Sequence, residues 1–118
     1  MFEDDEHHPV PSVDGLDLVA ARRDGGAHLV IVVAGPLQED ERSQRRLLTK
    51  LSNYLNFVNS DEFQQEFGSP DPSKVTIDVK IDAGSDPAVF AMLGRCVSPV
   101  SENNASLTVN GQPIQPSP

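Results

Sequence analysis

The segment from Lys74 to Ile81 alternates strictly between polar and apolar residues. Because successive side chains of a β-strand point to opposite faces, this pattern predicts a strand with one apolar and one polar face. The apolar side chains are expected to face a core: Val75, Ile77, Val79 and Ile81. The polar side chains are expected to face water: Thr76, Asp78 and Lys80. The chain should therefore fold around a sheet that has one covered and one solvent-exposed face.

Three more segments have the composition of strands. The segment 16–21 is followed by Arg-Asp-Gly-Gly at 23–26, whose glycines tolerate the positive φ angles of a tight hairpin turn. The segment 28–34 is apolar on both faces and rich in β-branched residues, which is typical of a central strand. The segment 105–109 is expected to form a short last strand.

Two helices are predicted from apolar residues that recur at the helical period. The longer helix spans about 38–59, where acidic residues in the first turn suit the helix dipole. The shorter helix spans about 87–97; it is expected to begin after Asp86 and to end before Pro99. A further helical turn is expected at 62–67. The apolar stripe of the longer helix comprises Leu47, Leu48, Leu51, Tyr54, Leu55 and Val58.

These elements follow a β-β-α-β-α-β order. The order predicts an α+β fold with a four-stranded mixed sheet and two helices packed on one face. We expect a single domain at 14–110. Residues 1–13 are expected to form a disordered acidic leader, because they contain few large apolar groups. Four of the five acids in 1–14 lie in this segment. Residues 111–118 are expected to form a Pro-rich tail, in which Pro113 permits only an edge strand.

The charge balance limits the classes of partner. A net charge of −9 repels phosphate, so binding to nucleic acid or to an anionic membrane is not expected. No apolar run approaches the ~18 residues of a membrane-spanning helix. The N-terminus lacks the basic and apolar regions of a secretory signal. The single cysteine, Cys96, excludes an internal disulfide framework. These observations favour a cytoplasmic protein.

Several short patterns occur in the order found in a bacterial family. They are Asp17-Leu18-Val19, the Asp-Gly turn, Gly35-Pro36-Leu37 leading into Asp40-Glu41-Arg42, the helix from Leu47 to Phe57, and the segment from Phe63 to Gly68. In these patterns the chain resembles a family of small, uncharacterised bacterial α+β proteins classed as a domain of unknown function. The resemblance covers most of 14–109 and implies the same fold class and a bacterial cytoplasm. It implies no catalytic or binding residues.

Candidate reactive groups are few. Cys96 is the only thiol, and nucleophilic catalysis would need a base such as His28, the one histidine inside the predicted domain. His7 and His8 have metal-ligand chemistry but lie in the predicted leader, where no scaffold fixes their geometry. The glycines form no phosphate-binding motif. Neither a metal nor another cofactor is therefore expected.

One side of the long helix is predicted to be positive. Its members lie opposite the apolar stripe: Arg42, Arg45, Arg46, Lys50, Asn53 and Phe57. A positive ridge that ends in an aromatic residue is a candidate binding surface, because arginine and aromatic side chains are enriched in binding hot spots. The alternative is a solvated helix face, with Glu41 paired with Arg45 and Phe57 covered by a neighbouring phenylalanine.

The sequence as a whole favours a non-enzymatic protein-interaction domain that acts through an exposed helix or sheet face. The expected partner is another protein, and a homodimer formed through an unpaired edge strand is the second option. Two alternatives remain open. One is a small cysteine-dependent enzyme that uses Cys96 and His28, and the other is an immunity-type protein that neutralises a toxin by charge complementarity.

Overall fold

The computed structural model describes most of the chain. The described residues are 17–33, 35–37, 40–68 and 70–114. The predicted leader at 1–13 and the end of the predicted tail at 115–118 lie outside them.

The described residues form five strands and three α-helices, so the α+β class is confirmed. The predicted count of four strands and two helices is corrected, because the helical turn after the long helix is a separate helix and the segment after the last predicted strand returns to the sheet. In chain order the elements are β1 (Leu18–Ala21), β2 (Ala27–Val32), α1 (Glu41–Val58), α2 (Asp61–Phe67), a 3₁₀ turn (Pro72–Lys74), β3 (Val75–Lys80), α3 (Pro87–Glu102), β4 (Ser106–Val109) and β5 (Gln112–Pro113).

The sheet is mixed and its strands lie in chain order, β1-β2-β3-β4-β5. Strands β2, β3 and β4 are parallel, since each connection between them contains a helix that returns the chain to its starting end. The outer strands are antiparallel to their neighbours because tight turns join them. The second of these turns is Asn110-Gly111, with φ angles of 51° and 80°. It places the two-residue strand β5 at one edge and leaves β1 at the other.

The core lies between the helices and one face of the sheet. The predicted inward residues of β3 and its end, Val75, Ile77, Val79 and Ile81, are all buried, so this prediction is confirmed. The helices contribute the other half of the same cluster, including Leu47 and Tyr54 of α1, Phe63 of α2, and Val89 and Leu93 of α3.

Helix α3 is longer than predicted. It begins as expected at Asp86, whose carboxylate accepts a hydrogen bond from the Ala88 N–H at 2.9 Å. It does not end before Pro99 but continues to Glu102. Pro99 lies on the exposed side, where water can satisfy the carbonyl freed by the missing N–H. Val100, which follows, is fully buried and holds the last turn against the core.

The β1–β2 hairpin is closed by a three-residue loop with Gly25 at φ 91°. The Arg22 N–H donates to the Gly26 carbonyl at 2.9 Å, and the Gly26 N–H donates to the Asp24 carboxylate at 3.1 Å. Gly26 is buried, and a Cβ placed on it would lie 1.9 Å from the carbonyl oxygen of Lys74. The hairpin can therefore approach the start of β3 only with glycine at this position.

We expect Gly26→Ala to lower the free energy of unfolding by roughly 2–3 kcal/mol, because the methyl group forces the hairpin away from β3. The measurement is chemical denaturation. Gly35→Ala is the matched control, since a Cβ at Gly35 meets nothing within 4 Å. Equal stability of the two variants would show that the hairpin and β3 are not in close contact.

Candidate functional site

The predicted positive ridge on α1 is only partly exposed. Arg42 and Arg45 are exposed, and Arg45 pairs with Glu41 one turn earlier, as the alternative interpretation of the ridge expected. Arg46 and Lys50, however, are only 8% and 0% exposed. The expectation that these two residues lie on a solvent-facing ridge is wrong.

Asn53 and Phe57, the other two members of the predicted ridge, are half-buried. The Phe57 ring packs edge-on against the Phe63 ring, with centroids 5.5 Å apart. Phe57 is therefore covered by a neighbouring phenylalanine, as the alternative interpretation expected. No continuous strip of exposed side chains runs along this side of α1.

The error comes from the angular position of the buried stripe. Lys50 lies about 100° around the helix from Leu51, and Tyr54 lies about 60° from Leu51 on the same side. Leu48 lies about 60° away on the other side and is 42% exposed. The buried stripe is thus rotated towards Lys50 and away from Leu48.

Lys50 belongs to a polar cluster that joins α1 to the first two strands. Its ammonium group donates to the Asp17 carboxylate at 2.8 Å, and the other oxygen of that carboxylate accepts from the Val32 N–H at 2.8 Å. The Tyr54 hydroxyl accepts from the Asp17 N–H at 2.7 Å and donates to the Val30 carbonyl at 2.6 Å. The cluster fixes the start of β1 against both α1 and β2.

Burial is the main reason that the pKa of Tyr54 is raised to about 12, and the negative charge of Asp17 adds to it. Hydrogen bonds from the Asp17 and Leu18 backbone act in the opposite direction but are weaker. Since the hydroxyl already accepts one hydrogen bond and donates another, Tyr54 acts as an anchor.

The second polar cluster lies on the face of the sheet turned away from the helices, which we call the open face. Asp78 points to this face, as predicted, but it is fully buried, so the expectation that it faces water is wrong. Its Oδ1 accepts from the Thr108 hydroxyl at 2.5 Å and from the Gly111 N–H at 2.8 Å. The ammonium of Lys80 lies 3.0 Å from Oδ2 and forms an ion pair with it.

Burial tends to raise the pKa of Asp78, but the hydrogen bonds from Thr108 and Gly111 and the ion pair with Lys80 outweigh it, so the pKa lies below its ordinary value. The carboxylate is therefore charged at neutral pH. It ties the turn before β5 to the middle of β3, which is a structural role.

The apolar part of the open face lies on β1 and β2. Leu18 stands opposite Val30 in the sheet register, and Val32 lies two residues beyond Val30 on the same face. Val30 is buried, whereas Leu18 is 53% and Val32 44% exposed. Among the described residues only three large hydrophobic side chains are exposed, and two of them flank Val30 on this face.

Strand β1 is exposed although it is apolar. Its sequence is Leu-Val-Ala-Ala; Leu18, Ala20 and Ala21 are exposed and Val19 is half-buried. In an antiparallel ladder the backbone groups of successive residues point alternately towards the partner strand and away from it. The hydrogen bond from the Arg22 N–H to the Gly26 carbonyl shows that the backbone groups of Arg22 point to β2. By that alternation the backbone groups of Ala20 and Leu18 point to β2, while those of Val19 and Ala21 point outward. Since β1 is the first strand in the sheet order, no strand of the described chain lies on that side.

The structure does not bring Cys96 and His28 together. His28 lies on the open face, between Ala20 and Thr76 in the register. Cys96 lies on α3 and packs against the core on the opposite face. Burial raises the pKa of the Cys96 thiol, and the nearby charge of Arg95 offsets this only in part. The thiol has no base at His28, and His7 and His8 lie outside the described residues.

A cavity of about 210 Å³ lies where α1 and α2 meet the start of β3 and the turn before β4. Its apolar lining includes Val58, Phe63 and Val75. Three side-chain amides also line it, those of Gln64, Asn59 and Asn104. The Asn104 amide donates to the Asn59 side-chain oxygen at 2.6 Å, so these two amides bond to each other. Among the residues that the structure describes, no titratable side chain lines this cavity, which makes it a weak candidate for catalysis.

Among the described residues, no group of three His, Cys, Asp or Glu side chains is placed to hold a metal ion. No helix within the described ranges is long and apolar enough to cross a membrane. No protein-family model matches the chain, and no curated protein and no solved structure is significantly similar to it. The resemblance to a bacterial family therefore stays a prediction.

The candidate site is thus the outer edge of β1 with the adjoining apolar part of the open face. The sequence identified β1 as a strand but not as an edge, because strand order is not encoded in local patterns. Lys50 and Tyr54 are separated by one helical turn, and this spacing was the only local signal of their shared contact with Asp17.

The single tyrosine allows a direct test of the anchor. Between pH 10 and pH 12 the unfolded chain loses the phenolic proton while the folded chain keeps it, so the free energy of unfolding should fall as the pH rises through this window. Two pKa units correspond to a loss of about 3 kcal/mol. The measurement is phenolate absorbance in the folded chain and in denaturant, together with denaturation at each pH.

Tyr54→Phe is the control for this pH dependence. It should lower stability at neutral pH, because the Asp17 N–H and the Val30 carbonyl lose their partner, and it should remove the step between pH 10 and 12. A folded chain whose tyrosine titrates near pH 10 would contradict the buried anchor.

Proposed function

We propose that the protein is a non-enzymatic binding module that holds another polypeptide against the outer edge of β1. One observation carries this proposal: a strand made only of apolar residues forms the end of the sheet, and three of its four side chains are exposed. Removing apolar side chains from water lowers the free energy, so covering this edge with a partner is favourable.

The backbone of β1 supports the binding of an added strand. The outward N–H and C=O groups of Val19 and Ala21 are the donors and acceptors that a partner strand requires. In strand addition, backbone hydrogen bonds provide affinity and side chains provide specificity. Leu18 and Val32 lie beside this edge on the open face, where they offer apolar area to the same partner.

Within the described residues, β1 also lacks the usual protection of an edge strand. Edge strands are commonly blocked by lysine, by proline or by a bulge. β1 contains no lysine or proline and pairs with β2 without a bulge. At the other edge, β5 is two residues long and ends with Pro113, which has no N–H to donate. The contrast between the two edges supports β1 as the binding edge.

A cysteine-dependent enzyme is less well supported, since Cys96 and His28 lie on opposite faces of the sheet. A role for Arg42 and Arg45 in binding, a cytoplasmic location and the neutralisation of a toxin all remain predictions. None of them is needed for binding at β1.

The test is affinity capture from cells that express the chain naturally. Tagged full-length chain is incubated with lysate that also contains untagged chain, and the retained proteins are quantified by mass spectrometry. Leu18→Glu places a charge on the exposed apolar edge, and we expect it to reduce capture of the bound polypeptide at least about tenfold, equivalent to about 1.4 kcal/mol.

Leu48→Glu is the matched control, because Leu48 is also an exposed leucine but lies on α1. It should capture the same polypeptide as the native chain. Thermal unfolding checks that both variants fold. If Leu18→Glu and Leu48→Glu retain the same proteins in the same amounts, the edge of β1 is not the binding surface.

A further inference from the structure

We infer that the polypeptide bound at β1 is a second copy of this chain, paired antiparallel so that the two Ala20 residues face each other. This inference rests on the proposed function, and it names the partner and the register.

The charges at the ends of β1 favour self-pairing. Asp17 precedes the strand and Arg23 follows it; within the chain Asp17 is paired with Lys50, and Arg22 with Asp24. In an antiparallel second copy with Ala20 on the axis, Arg23 of each chain lies opposite Asp17 of the other, which is a contact between opposite charges. A parallel copy would instead place acid beside acid. The strand is therefore complementary to itself in one direction only.

The ladder geometry selects the register. Only residues whose backbone groups point outward can form the hydrogen-bonded pairs, and in β1 these are Val19 and Ala21. When Val19 of each copy lies opposite Ala21 of the other, both residues are used and Ala20 falls on the symmetry axis. If Val19 lay opposite Val19, Ala21 would face Asp17, whose N–H is already bonded to Tyr54.

The side chains fit the register that has Ala20 on the axis. The two Ala20 side chains meet in a pair without hydrogen bonds, where strands approach most closely and small residues fit. Leu18 of each copy lies opposite Arg22 of the other on the open face. The Arg22 guanidinium is held by Asp24 and by Thr76 of β3, on the side away from the partner, so only the start of the Arg22 side chain can contact Leu18 of the other copy.

The first test is light scattering of the full-length chain after size exclusion. We expect a mass twice that of one 12.8 kDa chain, because β5 offers no comparable second edge. Ala21→Pro removes an outward N–H without removing a bond to β2, and it should raise the dimer dissociation constant at least about tenfold. Ala21→Val keeps the N–H and should leave the dimer intact.

The second test locates the axis by disulfide cross-linking. Cys96→Ala removes the only native thiol, and a single cysteine is introduced at Ala20 or at Ala21. Oxidised glutathione takes up the two electrons as two thiols become a disulfide. Ala20→Cys should form a covalent dimer at least about tenfold faster than Ala21→Cys, since only residues directly opposite each other lie within disulfide reach.

A monomeric native chain, or equal cross-linking rates at the two positions, would overturn the inference. Faster linking of Val19→Cys than of Ala20→Cys would overturn the register. If the native chain is monomeric and captures a different protein, and Leu18→Glu abolishes that capture, the proposed function stands but self-pairing does not. If Leu18→Glu reduces neither self-association nor capture, both the inference and the proposed function are contradicted.

Discussion

The hydroxyl of Tyr54 connects three elements that are far apart in the chain. It accepts from the Asp17 N–H and donates to the Val30 carbonyl, so one atom of α1 is bonded to the start of β1 and to the middle of β2. Lys50, one turn earlier, holds the carboxylate of the same Asp17. Without these contacts β1 would be a four-residue strand joined to the domain only by its hairpin, and such hairpins are marginally stable alone.

A buried lysine is costly, and its pairing with a carboxylate is weak evidence for added stability. The main effect of the Lys50–Asp17 pair is to position β1. Asp17 binds Lys50 with one oxygen and the Val32 N–H with the other, which fixes the register of β1 on β2. A strand held in this way is ordered before it binds. The entropy cost of ordering the strand is thereby reduced, and in a second copy held by the same contacts it is reduced on both sides.

Local patterns predicted the parts of the fold that depend on local spacing. The alternation in β3 identified its core side chains, and the cap at Asp86 located the start of α3. The burial of Asp78 could not be predicted, because its partners Thr108 and Gly111 lie about thirty residues away along the chain. The burial of Lys50 depends on Asp17 in the same way. The exposure of β1 follows from strand order, which depends on how the helices pack and which no segment specifies by itself.

The two edges of the sheet limit how many copies of the chain could pair edge to edge. The inferred pairing through β1 would use up the open edge of both chains, so such an assembly would close once each chain has one partner. The net charge of −9 repels any acidic chain, a second copy included, but salt screens this repulsion at separations beyond about 8 Å. At contact, Arg23 of one copy would lie opposite Asp17 of the other only when the two strands run antiparallel. Because the repulsion acts on a second copy as strongly as on other acidic chains, the preference for a matched strand rests on the complementarity at contact.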